Sequence, residues 1–226
     1  MAKKRTKKEL SPNRVRVLYE AVKAALDTKD EESGRKVGDA PHGVYAFFDY
    51  DGEPIYVGQT KEDKMRVRIR RHLTNQRTDA VAMRVLDPYE VAEIEMWPFW
   101  DISSKAEAKE ILNRAEYTVY QMAIANSEFK AVLNEKEPEE STTIALPEST
   151  RVSIVPEDIR QELSHPDTRV ARRARTIAEL ARIISERQVN PGLRKTLLVQ
   201  AQRLQRLASE RYKEVRGEAG DNFEDS

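Results

Sequence analysis

An Asp-Gly pair at positions 51–52 lies between two short runs of strand-forming residues, and it constrains the fold more than anything else in the chain. Val44 to Asp49 is apolar and aromatic, and Pro54 to Val57 is its return. Asp-Gly suits a tight reversal because both residues tolerate positive φ. The segments 43–49 and 54–58 are therefore predicted to form a β-hairpin closed by a two-residue turn. A third strand is predicted in Glu90 to Trp97, where Ala92, Ile94 and Met96 alternate with Glu93 and Glu95. That alternation marks a strand with one buried face.

Helical spacing accounts for most of the rest. Ser11-Pro12 is a capped helix start, and Val15, Leu18, Val22 and Leu26 form an apolar stripe over 12–27. A basic helix is expected from Lys61 to Leu73, and a short one from Ala80 to Leu86, stopped by Asp87-Pro88. Residues 104–124 read as a long helix with Ala106, Ile111, Leu112, Ala115, Val119 and Met122 inward. Glu137 to Thr150 is rich in Pro, Glu, Ser and Thr, and reads as a linker. Three helices follow at 156–164, 167–189 and 191–216. Ile177, Leu180, Ala181 and Ile184 form one stripe, Leu197, Leu198, Ala201, Leu204 and Leu207 another, and Pro191-Gly192 breaks the last two helices into a hairpin. The expected class is α+β, with a small core built on a three-stranded, mainly antiparallel sheet flanked by helices, plus a helical C-terminal region. The expected divisions are a basic disordered tail (1–11), a helix and loop (12–39), the core (40–137), a linker (138–155), the helical region (156–216) and a disordered tail (217–226).

With 226 residues and no cysteine, the chain has no disulfide framework, no Cys-ligated zinc module and no thiol nucleophile. No apolar run approaches the ~20 residues of a membrane-spanning helix, and no secretory signal follows the basic N-terminus. A cytoplasmic protein without a membrane partner is expected. Lys+Arg and Asp+Glu are equal at 39 each, but the charge is patterned. From Lys61 to Arg77 there are seven basic residues against two acidic, and from Glu157 to Arg216 fourteen against eight. Such local excess of positive charge suits a polyanion.

The hairpin also carries two facing tripeptides, Gly43-Val44-Tyr45 on the first strand and Tyr56-Val57-Gly58 on the second. Arg68 and His72 follow at i, i+4, which puts them on one helix face. Glu116 comes mid-helix among apolar neighbours, where a lone carboxylate is costly unless paired or metal-bound. Asn134 follows a short apolar segment. In this order and spacing the chain resembles the GIY-YIG nuclease family, with valine in place of isoleucine in both half-motifs. The resemblance covers about 43–134. It implies a catalytic set of Tyr45, Tyr56, Arg68, His72, Glu116 and Asn134, with Asn126 the alternative to Asn134.

The resemblance further implies a DNA endonuclease, restriction-type or mobile-element-associated, using one Mg²⁺ or Mn²⁺ ion per site. Glu116 is the implied metal ligand, a hard oxygen donor suited to an ion that keeps its waters. Arg68 would stabilise charge on the non-bridging oxygens. Tyr45 would orient or deprotonate the attacking water, with His72, whose ordinary pKa lies near 6.5, as rival base. Tyr56 and Asn134 would order the site. Arg66, Arg70, Arg71, Arg172 and Arg173 are the candidate phosphate contacts, double-stranded DNA the expected partner, and a homodimer an open arrangement. The alternative is a nucleic-acid-binding protein that keeps this fold without cleaving. Trp97, Phe99 and Trp100 are expected to plug the core beside the third strand rather than stack on bases.

Overall fold

The computed structural model describes residues 13–74, 87–102, 104–134 and 136–221. The predicted helix at 80–86, the basic tail before residue 12 and Arg77 lie outside them. Helix α1 (Asn13–Leu26) precedes the hairpin of β1 (His42–Phe48) and β2 (Pro54–Thr60). Then come α2 (Met65–Leu73), β3 (Glu93–Phe99) and the long α3 (Lys105–Asn126), which opens with Ser104 accepting from the Glu107 amide. β4 (Thr150–Ser153) completes the sheet, and α4 (Glu157–Ser164), α5 (Pro166–Glu186) and α6 (Pro191–Asp221) end the chain. No helix among the described residues is long and apolar enough to cross a membrane.

The sheet is antiparallel, in the order β2-β1-β3-β4. Both faces of its centre are covered, so β1 reads as a continuous apolar run rather than an alternating one. Tyr45 and Phe47 face α1 and α2 and join Leu18, Val22, Met65 and Ile69 in one core. Val44, Ala46 and Val57 face α3 and pack on Leu112, Ala115 and Val119 in the other. Trp97 is part of that second core, while the Trp100 indole donates to Asp30 and is covered by Arg35.

The sheet has four strands, not three. Thr150–Ser153, expected to be linker, pairs with β3 through Ile94↔Val152 and Met96↔Thr150. Four residues are too few to show a period, and an edge strand tolerates the charge of Arg151, which pairs with Glu93. The hairpin turn is also longer than two residues. Asp49 N donates to Glu53 O and Gly52, at φ +77°, donates to Asp49 O. The Asp49 carboxylate accepts from the amides of Asp51 and Glu53 at 2.9 and 3.0 Å, so the aspartate, not the Asp-Gly pair alone, closes the loop.

The C-terminal helices dock on the core through buried charge. Arg169 grips Asp51, Arg173 reaches Asp49 and Glu90 at 3.2 Å each, and Arg172 reaches Glu90 at 2.6 Å. Arg203 reaches Glu53 at 3.2 Å. The buried stripe of α5 includes Arg169, Arg173, Thr176, Leu180 and Ile183, and that of α6 includes Leu193, Thr196, Gln200, Arg203 and Leu207. These stripes differ from the apolar ones expected, and Leu198 is 59% exposed. Helix α6 also runs on to Asp221, past the expected stop at 216.

Candidate active site

Tyr45 and Gly58 are register partners across the hairpin. A Cβ on Gly58 would stand 2.8 Å from the Tyr45 hydroxyl and 2.7 Å from Cε1 of Tyr56, so only glycine lets the two rings share this space. The ring centroids of Tyr45 and Tyr56 lie 6.3 Å apart. His72 closes the group, 5.9 Å from Tyr45 and 4.8 Å from Tyr56. Gly58→Ala is expected to push the phenol aside and lower DNA cleavage about 100-fold, the scale of a misplacement of about 1 Å at reacting groups. Single-turnover rates with unchanged DNA affinity would show it, and a rate within a factor of about two of the parent would mean the phenols are not held by this glycine.

Tyr45 forms the floor of the site. Its hydroxyl is buried, and the Arg68 guanidinium is its hydrogen-bonding neighbour. Burial pushes the phenol well above its ordinary pKa, the neighbouring Tyr56 adds to this, and the Arg68 charge pulls it back. His72 is 1% exposed, and burial together with Arg68 drives its pKa down to about 3. A neutral imidazole of so low a pKa is a poor proton acceptor. His72 therefore does not fit the role of rival base and is suited instead to fixing the two rings. Arg68 and Tyr56 are half-buried at the rim. Burial works against the Arg68 charge, but Tyr45, Tyr56 and Glu116 more than offset it and hold the guanidinium firmly protonated.

Glu116 reaches this group from the opposite side of the sheet. It stands on α3, which packs on the Val44–Val57 face, whereas Arg68 and His72 stand on α2 against the Tyr45 face. The two sides meet near the end of β2, an edge strand, at Gly58 and Gln59. Gln59 Nε2 donates to Glu116 Oε2 at 2.6 Å and to Asn113 Oδ1 at 3.1 Å, and Lys61 Nζ donates to Asn113 Oδ1 at 2.7 Å. Burial raises the Glu116 carboxyl above its ordinary pKa, with the Gln59 hydrogen bond, Lys61 and Arg68 acting against it. Sequence reasoning missed Gln59, Lys61 and Asn113. Asn113 lies at i−3 from Glu116, so its shared helix face was the signal available.

Among the described residues no three His, Cys, Asp or Glu converge to hold a metal. Glu116 suits an ion held by one carboxylate and completed by water, because its second oxygen makes no hydrogen bond among the described residues. Asn134 plays a different part from the others. Its side chain accepts from Val57 N at 2.9 Å and donates to Val57 O at 2.8 Å, satisfying the outer edge of β2. Asn126, the alternative, is exposed at the end of α3.

The proposed phosphate contacts are largely engaged elsewhere. Arg66 pairs with Asp27 and Asp39, Arg70 with the Tyr19 hydroxyl and Arg71 with Asp63. Arg172 and Arg173 are held by Glu90, and Arg173 is 4% exposed. A DNA-contact role for these last two does not fit their burial. A one-dimensional count of positive charge could not reveal acids that approach from more than eighty residues away.

A model described as the GIY-YIG catalytic domain matches residues 41–118, the stretch that holds both tripeptides, Arg68, His72 and Glu116. Over those residues, about a third of its length, the chain is similar to the GIY-YIG catalytic domain. The GIY-YIG match ends within α3, so Asn134, β4 and all three C-terminal helices lie beyond it. No curated protein and no solved structure matches the chain.

Proposed function

We propose that the chain is a divalent-metal-dependent endonuclease that hydrolyses phosphodiester bonds of double-stranded DNA, with one Mg²⁺ or Mn²⁺ ion per site. The observation that carries this reading is the meeting of Tyr45, Tyr56, Arg68 and His72 from one face of the sheet with Glu116 from the other, at the end of β2. Glu116 would hold the ion, which supplies Lewis acidity at the scissile phosphate. Arg68 binds the non-bridging oxygens and opposes the charge that builds on them. Tyr45 orients the attacking water through its hydroxyl, which burial keeps protonated. His72 and Tyr56 keep the Tyr45 ring in place, and Gln59 aims the carboxylate of Glu116. Asn134 fixes the strand from which Tyr56 and Gly58 project. A compact chain with its own helical region suits a restriction-type or mobile-element-associated enzyme.

Supercoiled plasmid incubated with the purified protein tests the reading. Nicked or linear product is expected with Mg²⁺ or Mn²⁺, and none in chelator or with Glu116→Ala. Binding of DNA without any cleavage across several divalent ions would instead establish a non-catalytic nucleic-acid-binding protein.

A further inference from the structure

The C-terminal hairpin of α5 and α6 stands outside the GIY-YIG match, yet it touches the strand that carries half of the site. Leu180, Ile183 and Leu193, all 5% exposed or less, form a cluster against which the Tyr56 ring packs. The same ring also meets His72, at 4.8 Å, and Phe47, at 5.8 Å. Tyr56 therefore contacts both the sheet core and the hairpin.

The backbone of β2 is braced from the same direction. As an edge strand it has outward groups that β1 cannot satisfy. Ile55 O accepts from Leu133 N at 3.0 Å, and Val57 is clamped by Asn134. The segment that supplies these contacts is fixed by α6. Arg203 donates to Ala131 O at 3.3 Å and to Pro54 O at 3.1 Å, and the Thr196 hydroxyl lies 3.5 Å from Asn134 O. A chain of contacts thus runs from α6 through 131–134 to Val57, beside the direct packing of Leu180, Ile183 and Leu193 on Tyr56.

We propose that the α5–α6 hairpin is a wall of the catalytic site and that Ile183 and its neighbours are positioning residues, acting through Tyr56 and β2 on the placement of the reacting groups. This rests on the nuclease reading given above. The hairpin is then part of the cleaving unit, and the nuclease core alone lacks one side of its site.

The test uses the full chain. Ile183→Ala is compared with Leu207→Ala, another buried leucine-sized truncation on the hairpin, outside the Tyr56 cluster. Both lose stability by cavity formation. Ile183→Ala is expected to lower the single-turnover cleavage rate about 30-fold with DNA affinity within about threefold of the parent, whereas Leu207→Ala keeps the rate within about threefold. In a Tyr56→Ala background, Ile183→Ala is expected to add less than about twofold, because coupled residues are not additive. Ile183→Val removes a single methyl, keeps the fold and is expected to move the rate in the same direction by about threefold. Hydrogen exchange at the Val57 amide is expected to quicken in Ile183→Ala and not in Leu207→Ala.

Equal rate losses in the two truncations, or full additivity with Tyr56→Ala, overturn the proposal. If the parent cleaves no DNA, the nuclease reading fails and the catalytic part of the proposal with it. Unchanged Val57 exchange in Ile183→Ala then shows that the hairpin does not brace β2 either.

Discussion

Arg68→Ala is expected to slow DNA strand cleavage about 10²–10³-fold, equivalent to ~3–4 kcal/mol of lost transition-state stabilisation, while DNA affinity changes only a few-fold. The argument is electrostatic. Arg68 is the guanidinium that acts on both the Tyr45 phenol and the Glu116 carboxylate, and it is held charged in a half-buried position. A fixed cation in such a place opposes the growing charge of a phosphoryl transition state more strongly than that of the ground state. Arg68→Lys should recover part of the rate, because it keeps the charge and loses the planar fork. A variant whose affinity falls by the same factor as its rate would show that Arg68 binds the ground state and does little more.

Arg173→Ala is expected to destabilise the fold by about 3–5 kcal/mol, the range seen when one partner of a buried ion pair is removed. Arg173 is 4% exposed and meets Asp49 and Glu90, whose side chains are 1% and 10% exposed. Asp49 cannot leave, since its other oxygen holds the hairpin turn. The acids would be left buried with less countercharge, although Arg169 and Arg203 remain at 3.9 Å from Asp49. Urea unfolding should show a lower midpoint with the slope unchanged. A loss of less than about 1 kcal/mol would mean that those two arginines, or water, replace it fully. A charge reversal at an exposed position such as Arg216 should change stability by no more than about 0.5 kcal/mol.

What could be read in the chain follows from the range of the interactions involved. The hairpin, β3, α1 and α3 were legible because their signals are local: Asp-Gly, alternation, a Ser cap and a 3.6-residue stripe, although Val15, Ala106 and Met122 of the expected stripes are exposed. The two tripeptides and the Arg68–His72 spacing were legible for the same reason. The bracing of β2 by Asn134 was not, because it joins residues seventy-seven positions apart. Nor was the buried face of α5. Its inward stripe runs through Arg169, Arg173 and Thr176 before Leu180 and Ile183, so a search for apolar periodicity finds the buried Leu180 but adds Ala181, which is exposed, and passes over the arginines. The acids that admit those arginines sit in the β1–β2 turn and at Glu90, and only the folded chain brings them together. Gln59 escaped notice because a strand-end glutamine is ordinary until a helix from the other side of the sheet brings a carboxylate to it.

The amide of Asn134 occupies the hydrogen-bonding groups of Val57 as one residue of an additional strand would. A sheet so terminated offers no template there for a foreign chain. At its other margin, β4 is four residues long and carries Arg151, which lies over Phe48 and is neutralised by Glu93. Neither border of the sheet invites edge-to-edge stacking, so the protein should resist fibril growth even when concentrated on a polyanion.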